Sequence, residues 1–302
     1  MIEVGLAGAR WLQIAAAGIL CGVPAFALYG LTPAAHAAQW PWTRRVLISA
    51  VMLGLIGAGV LVLAQSAEMS GDPSAAFDPG TVWVVISGTR FGAVWTARFV
   101  LLLIMSIIIL TVRPAMLGVY ALAVGGVLVA GSLAWLGHGG DGGPGLGGVH
   151  LLGDVMHLLA ASVWIGALVA LARLLGHGEA SEMLYGLRQF SGVGSIVVAT
   201  LVLTGIWNAW ALTSPQSLSE AIRTPYAFVL FVKVGLFVAM LALAALNRFV
   251  LTPRLSVEMA GEAEMKVAIT ALRRSIAVEM TLAALVIVAV AALGVMEPPS
   301  AG

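Results

Sequence analysis

LGHGGDGGPGLGGVHLLGDVMHLLAASVW, residues 136–164, is the stretch on which the reading of the whole chain turns. Its first half is a glycine-rich connection that holds His138, with eight glycines between positions 137 and 148. Its second half is an apolar segment carrying His150, Asp154 and His157. At about 100° per residue, a helix places those three side chains within roughly 60° of one another, and Trp164 falls on the same stripe further along. Polar and ionisable groups are expensive in hydrocarbon, so a membrane helix built this way must turn that face toward protein or water. The stretch therefore predicts a transmembrane helix with one functional face.

Composition agrees. Hydrophobic residues make up 61% of the 302 and charged residues 10%, against about a quarter charged in soluble domains, and the mean hydropathy is +1.04. Several apolar runs exceed the ~20 residues that cross a bilayer. The predicted fold class is all-α, a polytopic transmembrane helical bundle embedded in the lipid bilayer. A formal net charge of +1 gives no strong attraction for nucleic acid. Cys21 is the single cysteine, so there is no internal disulfide and no C-x-x-C metal-relay pair. The first apolar segment lacks a basic leader and reads as a full span rather than a cleaved signal. Walker-type loops, a D-K-T-G-T-like phosphorylation motif, H-E-x-x-H and G-x-S-x-G are all missing, which argues against nucleotide use and against an enzyme.

Eight spans are expected, at about 9–30, 44–67, 93–112, 115–136, 150–174, 187–212, 226–249 and 273–295, within a single integral membrane domain covering 1–302. The segment at about 80–88, TVWVVISGT, is too short to cross, and Trp83 and Trp95 suit the membrane interface. With the N-terminus outside, the inner side holds Arg44, Arg45, Arg113, Arg173, Arg188, Arg248, Arg254, Lys266, Arg273 and Arg274, and the outer side holds Arg10, Arg90, Arg98, Arg223 and Lys233. That excess on one side places both termini outside, and the His138 connection with them. The acidic connection 68–80, with Glu68, Asp72 and Asp78, reads as a solvated outer loop, and 251–272 as a helical, mixed-charge inner one. Glycines 54, 57, 125, 126, 192 and 194 would let helices approach closely.

His150, Asp154 and His157 form a ladder descending roughly 10 Å along the helix axis. Imidazole and carboxylate together suit Cu(II), Zn or Ni. His138 can approach across the glycine-rich connection, making four candidate metal ligands. A lone histidine at a helix end is ordinarily an interfacial polar group, and Asp154 can pair with Lys233; the combined set favours a functional site. Lys233 lies about two turns inside the seventh span, at the depth of Asp154, where it can pair, tune a metal site or snorkel. Glu279 in the last span should not face lipid; it reads as a pathway group or proton carrier, or equally as a packing partner of Asn247 or Arg248. Thr204 and Asn208 read as interhelical hydrogen-bonding groups. His36 and His177 read as solvated residues of inner loops. The scattered methionines and Cys21 read as packing.

Several ordered motifs carry a family likeness. GDVMHLLAASVWIGALVAL, RQFSGVGSIVVATLVLTGIWNAW, RTPYAFVLFVKVGLFVAMLALAALNRFVLTPRL and ALRRSIAVEMTLAALVIVAVAALGVMEPP resemble the CopD copper-resistance family of bacterial inner-membrane proteins. The likeness covers about 131–299; residues 1–130 match in hydropathy and span number. It implies an eight-span inner-membrane protein of copper resistance or uptake, often working beside CopC, a small periplasmic copper-binding protein. The family's D-x-x-H falls on Asp154 and His157, its W-x-G on Trp164 and Gly166, and its Gly-His on Gly137 and His138. Its buried Lys falls on Lys233, its L-N-R corner on Asn247 and Arg248, and its last-span Glu on Glu279. No fused CopC-like domain or Met/His-rich tail is legible, so copper capture would call for a separate donor.

The expected function is copper transport or handling across a bacterial inner membrane. The ion, as Cu(I) or Cu(II), would enter at His138, His150, Asp154 and His157, with Trp164, Lys233, Asn247 and Glu279 supporting its path. The alternatives are a membrane b-type cytochrome with His138 and His157 or another pair as axial ligands, and a copper-binding sensor or assembly partner that moves no ion.

Overall fold

Thr32 and Pro33 show how the sequence punctuates its helices. The Thr32 hydroxyl accepts a hydrogen bond from the backbone N–H of Ala35, and Pro33 takes the first helical position, so a second helix starts directly after the first. The computed structural model describes residues 2–112, 115–136, 147–212, 224–258 and 261–296. In chain order the helices are α1 Ile2–Gly30, α2 Pro33–Ser70, α3 Pro79–Gly88, α4 Arg90–Thr111, α5 Met116–Ser132, α6 Gly147–His177, α7 Ala180–Leu212, α8 Pro225–Leu246, α9 Thr252–Glu258 and α10 Glu262–Leu293. Short 3₁₀ turns cover Pro73–Phe77 and Leu133–Leu136, and a π-helical turn, Asn247–Leu251, joins α8 to α9. Among the described residues eight helices are long and apolar enough to cross a membrane; α3, with ten residues, is not one of them. The expected spans all appear, and most run longer than their apolar cores.

The acidic connection after α2 has a structural role as well as a solvated one. Asp72 caps the 3₁₀ turn through Ser74, and Asp78 caps α3 through Thr81. Hydrogen bonds from the Ser74 side chain and backbone hold the Asp72 carboxyl below the usual carboxylate range, and Thr81 does the same for Asp78.

The helix α1 joins two cores. One gathers α1, α2, α4 and α5 around Leu20, Leu47, Leu102 and Leu122. The other gathers α6, α7, α8 and α10 around Leu168, Leu171 and Leu272, with Phe26 of α1 inside it. Glycine makes the crossings possible. A Cβ on Gly22 would stand 2.7 Å from Gly166 Cα, and one on Gly126 would stand 2.6 Å from Cys21 Cα, so α6 and α5 both press on α1 backbone to backbone. Cys21 is a buried free thiol in that contact. Gly192 has open space where a Cβ would be, and Gly194 has ordinary contacts, so neither serves the close approach expected of them.

Two charged or titratable residues sit deeper than expected. His36, read as a solvated loop residue, is buried on the first turns of α2, because the Thr32–Pro33 start draws it into the helix. Arg98 is 2% exposed, and its guanidinium donates to the Ser132 hydroxyl at 2.9 Å and the Ser132 carbonyl at 2.6 Å, tying α4 to the end of α5. His177 is exposed at the end of α6. The start of α1 and the end of α10 lie together at one end of the bundle, where Arg10 of α1 packs against Gly294 and Leu6 clusters with Val295.

Candidate metal centre between α6, α7 and α8

The site follows from antiparallel packing of α6 on α7. Asp154 of α6 meets Asn208 of α7, and one turn deeper His157 meets Thr204. The spacings mirror one another: three residues on α6 and four on α7 each return to the same helix face. Gly153 provides the room, since a Cβ there would stand 3.2 Å from the Trp207 indole.

His150 and Asp154 form the outermost pair, with Nε2 and Oδ2 3.9 Å apart across one helical turn and side-chain exposures of 18% and 23%. The other Asp154 oxygen, Oδ1, accepts from Asn208 Nδ2 at 2.7 Å. His150 Nδ1 is buried without a hydrogen-bond partner among the described residues.

His157 is oriented by Thr204. Its Nδ1 lies 2.8 Å from the Thr204 hydroxyl, which itself lies 2.6 Å from the Thr200 carbonyl. A hydroxyl has one proton, and the carbonyl can only accept. The Thr204 proton therefore goes to Thr200, and Thr204 accepts from His157 Nδ1–H. This assigns the tautomer and leaves the His157 Nε2 lone pair available as a ligand. Lys233 of α8 is half-buried and close enough to interact electrostatically with both Asp154 and His157.

Trp164 lies further along the same face of α6, where it meets Glu279 of α10. The Trp164 indole N–H donates to Glu279 Oε1 at 2.7 Å, and Asn247 Nδ2 donates to Oε2 at 3.1 Å. Glu279 is 1% exposed. The packing partnership of Glu279 with Asn247 is thus present, whereas Arg248 turns away to the Ser191 carbonyl and the Ser195 hydroxyl of α7.

The structure brings together His150 with Asp154, His157 with Thr204, and Lys233 with both Asp154 and His157. His138 lies outside the described residues. Among the described residues no three His, Cys, Asp or Glu side chains converge as a metal-holding group. Sequence reading treated Thr204 and Asn208 as general interhelical groups; the structure makes them the direct partners of His157 and Asp154. Their four-residue spacing on α7, mirrored against 157 and 154 on α6, was the available signal.

Fold and site together define a polytopic helical membrane protein with a partly buried imidazole–carboxylate face between three helices. The chain belongs to the copper resistance protein D family. Residues 1–149 match the family described as copper resistance protein D-like, N-terminal domain, and residues 185–293 match that described as copper resistance protein D. The N-terminal half, recognised from sequence only by hydropathy and span number, thus has its own family match. The chain is 31% identical to Copper resistance protein D of Pseudomonas syringae pv. tomato, over 93% of this chain and 92% of that protein. It is 26% identical to Inner membrane protein YebZ of Escherichia coli over 87% of this chain and 83% of that one. It is 29% identical to Copper transport protein CutJ of Bacillus subtilis over 70% of this chain and 40% of that protein. No solved structure matches the chain.

Proposed function

We propose that the chain moves or hands on copper ions across a bacterial inner membrane, and that the α6 stripe of His150, Asp154 and His157, with His138 from the preceding connection, receives the ion on the outer side. The observation that carries this reading is the 2.8 Å contact between His157 Nδ1 and the Thr204 hydroxyl, whose proton is engaged by the Thr200 carbonyl. A histidine whose Nδ1–H is committed to a fixed acceptor presents Nε2 as a ready ligand, the arrangement found at metal-binding histidines generally. His150 Nε2 and Asp154 Oδ2, 3.9 Å apart, need only a small approach to become neighbouring donors, which stand about 3–3.5 Å apart when each is about 2.1 Å from a metal. Relatives named for copper resistance and copper transport supply the cargo, and an inner-membrane relative supplies the compartment.

Lys233 has a regulatory part in this reading. Its ammonium neutralises Asp154 while the site is empty and repels the arriving cation, so ion entry requires the Lys233–Asp154 interaction to loosen. The ion's path then runs along α6 toward the Trp164–Glu279–Asn247 level. A CopC-like periplasmic protein is the natural donor, and the reading is of a carrier rather than an enzyme. The haem alternative asks for axial ligands on facing helices, such as His138 with His157; a Soret band in the absorption spectrum of the purified protein would favour it.

The test is copper binding and copper flux with the purified protein in proteoliposomes. Replacing Asp154 and His157 together by Ala should abolish both. A correctly folded double variant that binds and transports copper like the parent protein would sink the assignment, and binding without flux in the parent would favour a sensor or assembly role.

A further inference from the structure

Glu279 is a carboxyl inside the helical bundle that no cation pairs with among the described residues. Both of its oxygens accept from N–H groups, Trp164 Nε1 on α6 and Asn247 Nδ2 at the start of the π-helical turn. These donors suit an ionised carboxylate, yet a bare buried anion in a membrane protein is costly. Trp164 and Asn247 are the polar groups that reach it, and no charged group of α1, α6, α7 or α8 interacts with it. Lys233 is 14 residues from Asn247 along α8, about 21 Å by helical rise.

Beside the carboxyl lies a cavity of about 320 Å³ between α6, α7, α8 and α10. It extends past the end of α8 to Arg248, Phe249 and Thr252. Apart from Glu279, Arg248 is the one charged side chain lining it, and its guanidinium is held by Ser191 and Ser195. At about 30 Å³ per molecule the space admits several waters. Asn247 Oδ1 is buried without a hydrogen-bond donor. Asn247 also opens a π-helical turn, a feature that recurs at functional positions.

We propose that Glu279 is a proton-exchange site served by this cavity, with the Asn247 amide as its two-state partner. In the ionised state the Asn247 NH₂ donates to Oε2. In the protonated state the proton, taken from a cavity water, sits on Oε2 and is donated to Asn247 Oδ1 after the amide turns over; the water becomes hydroxide, or hydronium becomes water, and the carboxyl charge falls from −1 to 0. Each state leaves the carboxyl fully hydrogen-bonded, because Trp164 can donate to Oε1 in both. The orphaned Asn247 oxygen is the acceptor waiting for the second state.

Difference infrared spectroscopy of the purified, copper-free full chain in lipid nanodiscs tests this independently of the outer site. A buried carboxylic-acid C=O band should disappear reversibly as the pH is raised, be lost in Glu279→Gln, and persist in Asp154→Asn. Trp164→Phe should keep the band and move it to higher frequency, since the C=O loses its N–H donor. No pH-sensitive carboxyl band, a band that survives in Glu279→Gln, or one unmoved in Trp164→Phe would overturn the proposal. Because copper is not used, the result stands or falls apart from the copper reading.

Discussion

Thr204 decides what His157 can do. A valine there has the same shape but no acceptor oxygen, so Nδ1–H loses its partner and the imidazole loses both its orientation and its preferred tautomer. Partners of this kind are worth about 10–100-fold in metal affinity when removed. Thr204→Val should therefore weaken copper binding by about that factor, measured by metal titration of the purified protein, while Thr204→Ser restores most of it. An unchanged affinity in Thr204→Val would mean that His157 does not act through Nε2. Asn208→Leu makes a parallel case, since it leaves Asp154 Oδ1 without the donor it now has at 2.7 Å. The expected effect is weaker binding with helix content unchanged, read by circular dichroism beside the titration. At this scale much was legible beforehand. His150, Asp154, His157 and Lys233 stand out because ionisable groups in apolar spans need a reason. Thr204 and Asn208 do not stand out alone, because a hydroxyl or amide in a membrane helix can satisfy itself on its own backbone, and only the facing helix reveals its partner. His36 misled for a related reason: a histidine near a proline and a threonine resembles a loop until the cap is seen to start a helix there.

Helix α1 carries the largest share of the packing and had the least chemistry to announce it. Its central turns, residues 16–24, are buried nearly all round and apolar on every face, and its glycine at position 22 reads as ordinary until the partner glycine at 166 is found. Gly166→Ala would drive a methyl into the Gly22 backbone. Neither atom belongs to a flexible side chain, so the helices must separate, and overpacking of this kind typically costs about 1–3 kcal/mol. Thermal unfolding in detergent should show the loss. Gly192→Ala on α7 is the counterpart, with open space at the Cβ. It should be neutral or stabilise by up to about 1 kcal/mol through helix propensity. Equal destabilisation by both substitutions would refute the α1–α6 crossing. Sequence alone identifies small residues but not their partners, which is why Gly126 and Gly192 looked alike and only Gly126 meets a backbone.

For the molecule as a whole, the same arginines that orient the chain also close its helices. Arg44 donates to the carbonyls of Ile109 and Leu110 at 3.2 and 2.9 Å, at the end of α4. Arg273 donates to Leu175 and Gly176 at 2.7 and 3.3 Å, at the end of α6. Cations at helix C-termini satisfy orphan carbonyls and complement the helix dipole, so the charge bias read from sequence has a second use that only packing shows. Both arginines lie at the end of the bundle opposite to the start of α1 and the end of α10, where the positive-inside tendency sets the cytoplasm. A reporter active only outside the cytoplasm, fused after the last residue, should therefore be active, and the same reporter inserted in the α6–α7 turn at residues 178–179 should be silent. The opposite pattern would put His150 and Asp154 on the cytoplasmic side and exclude loading by a periplasmic donor, while leaving the His157–Thr204 chemistry intact. Replacing Arg44 and Arg273 by Gln should blur the orientation and lower thermal stability together. That joint response follows if orientation and helix closure depend on the same two cations.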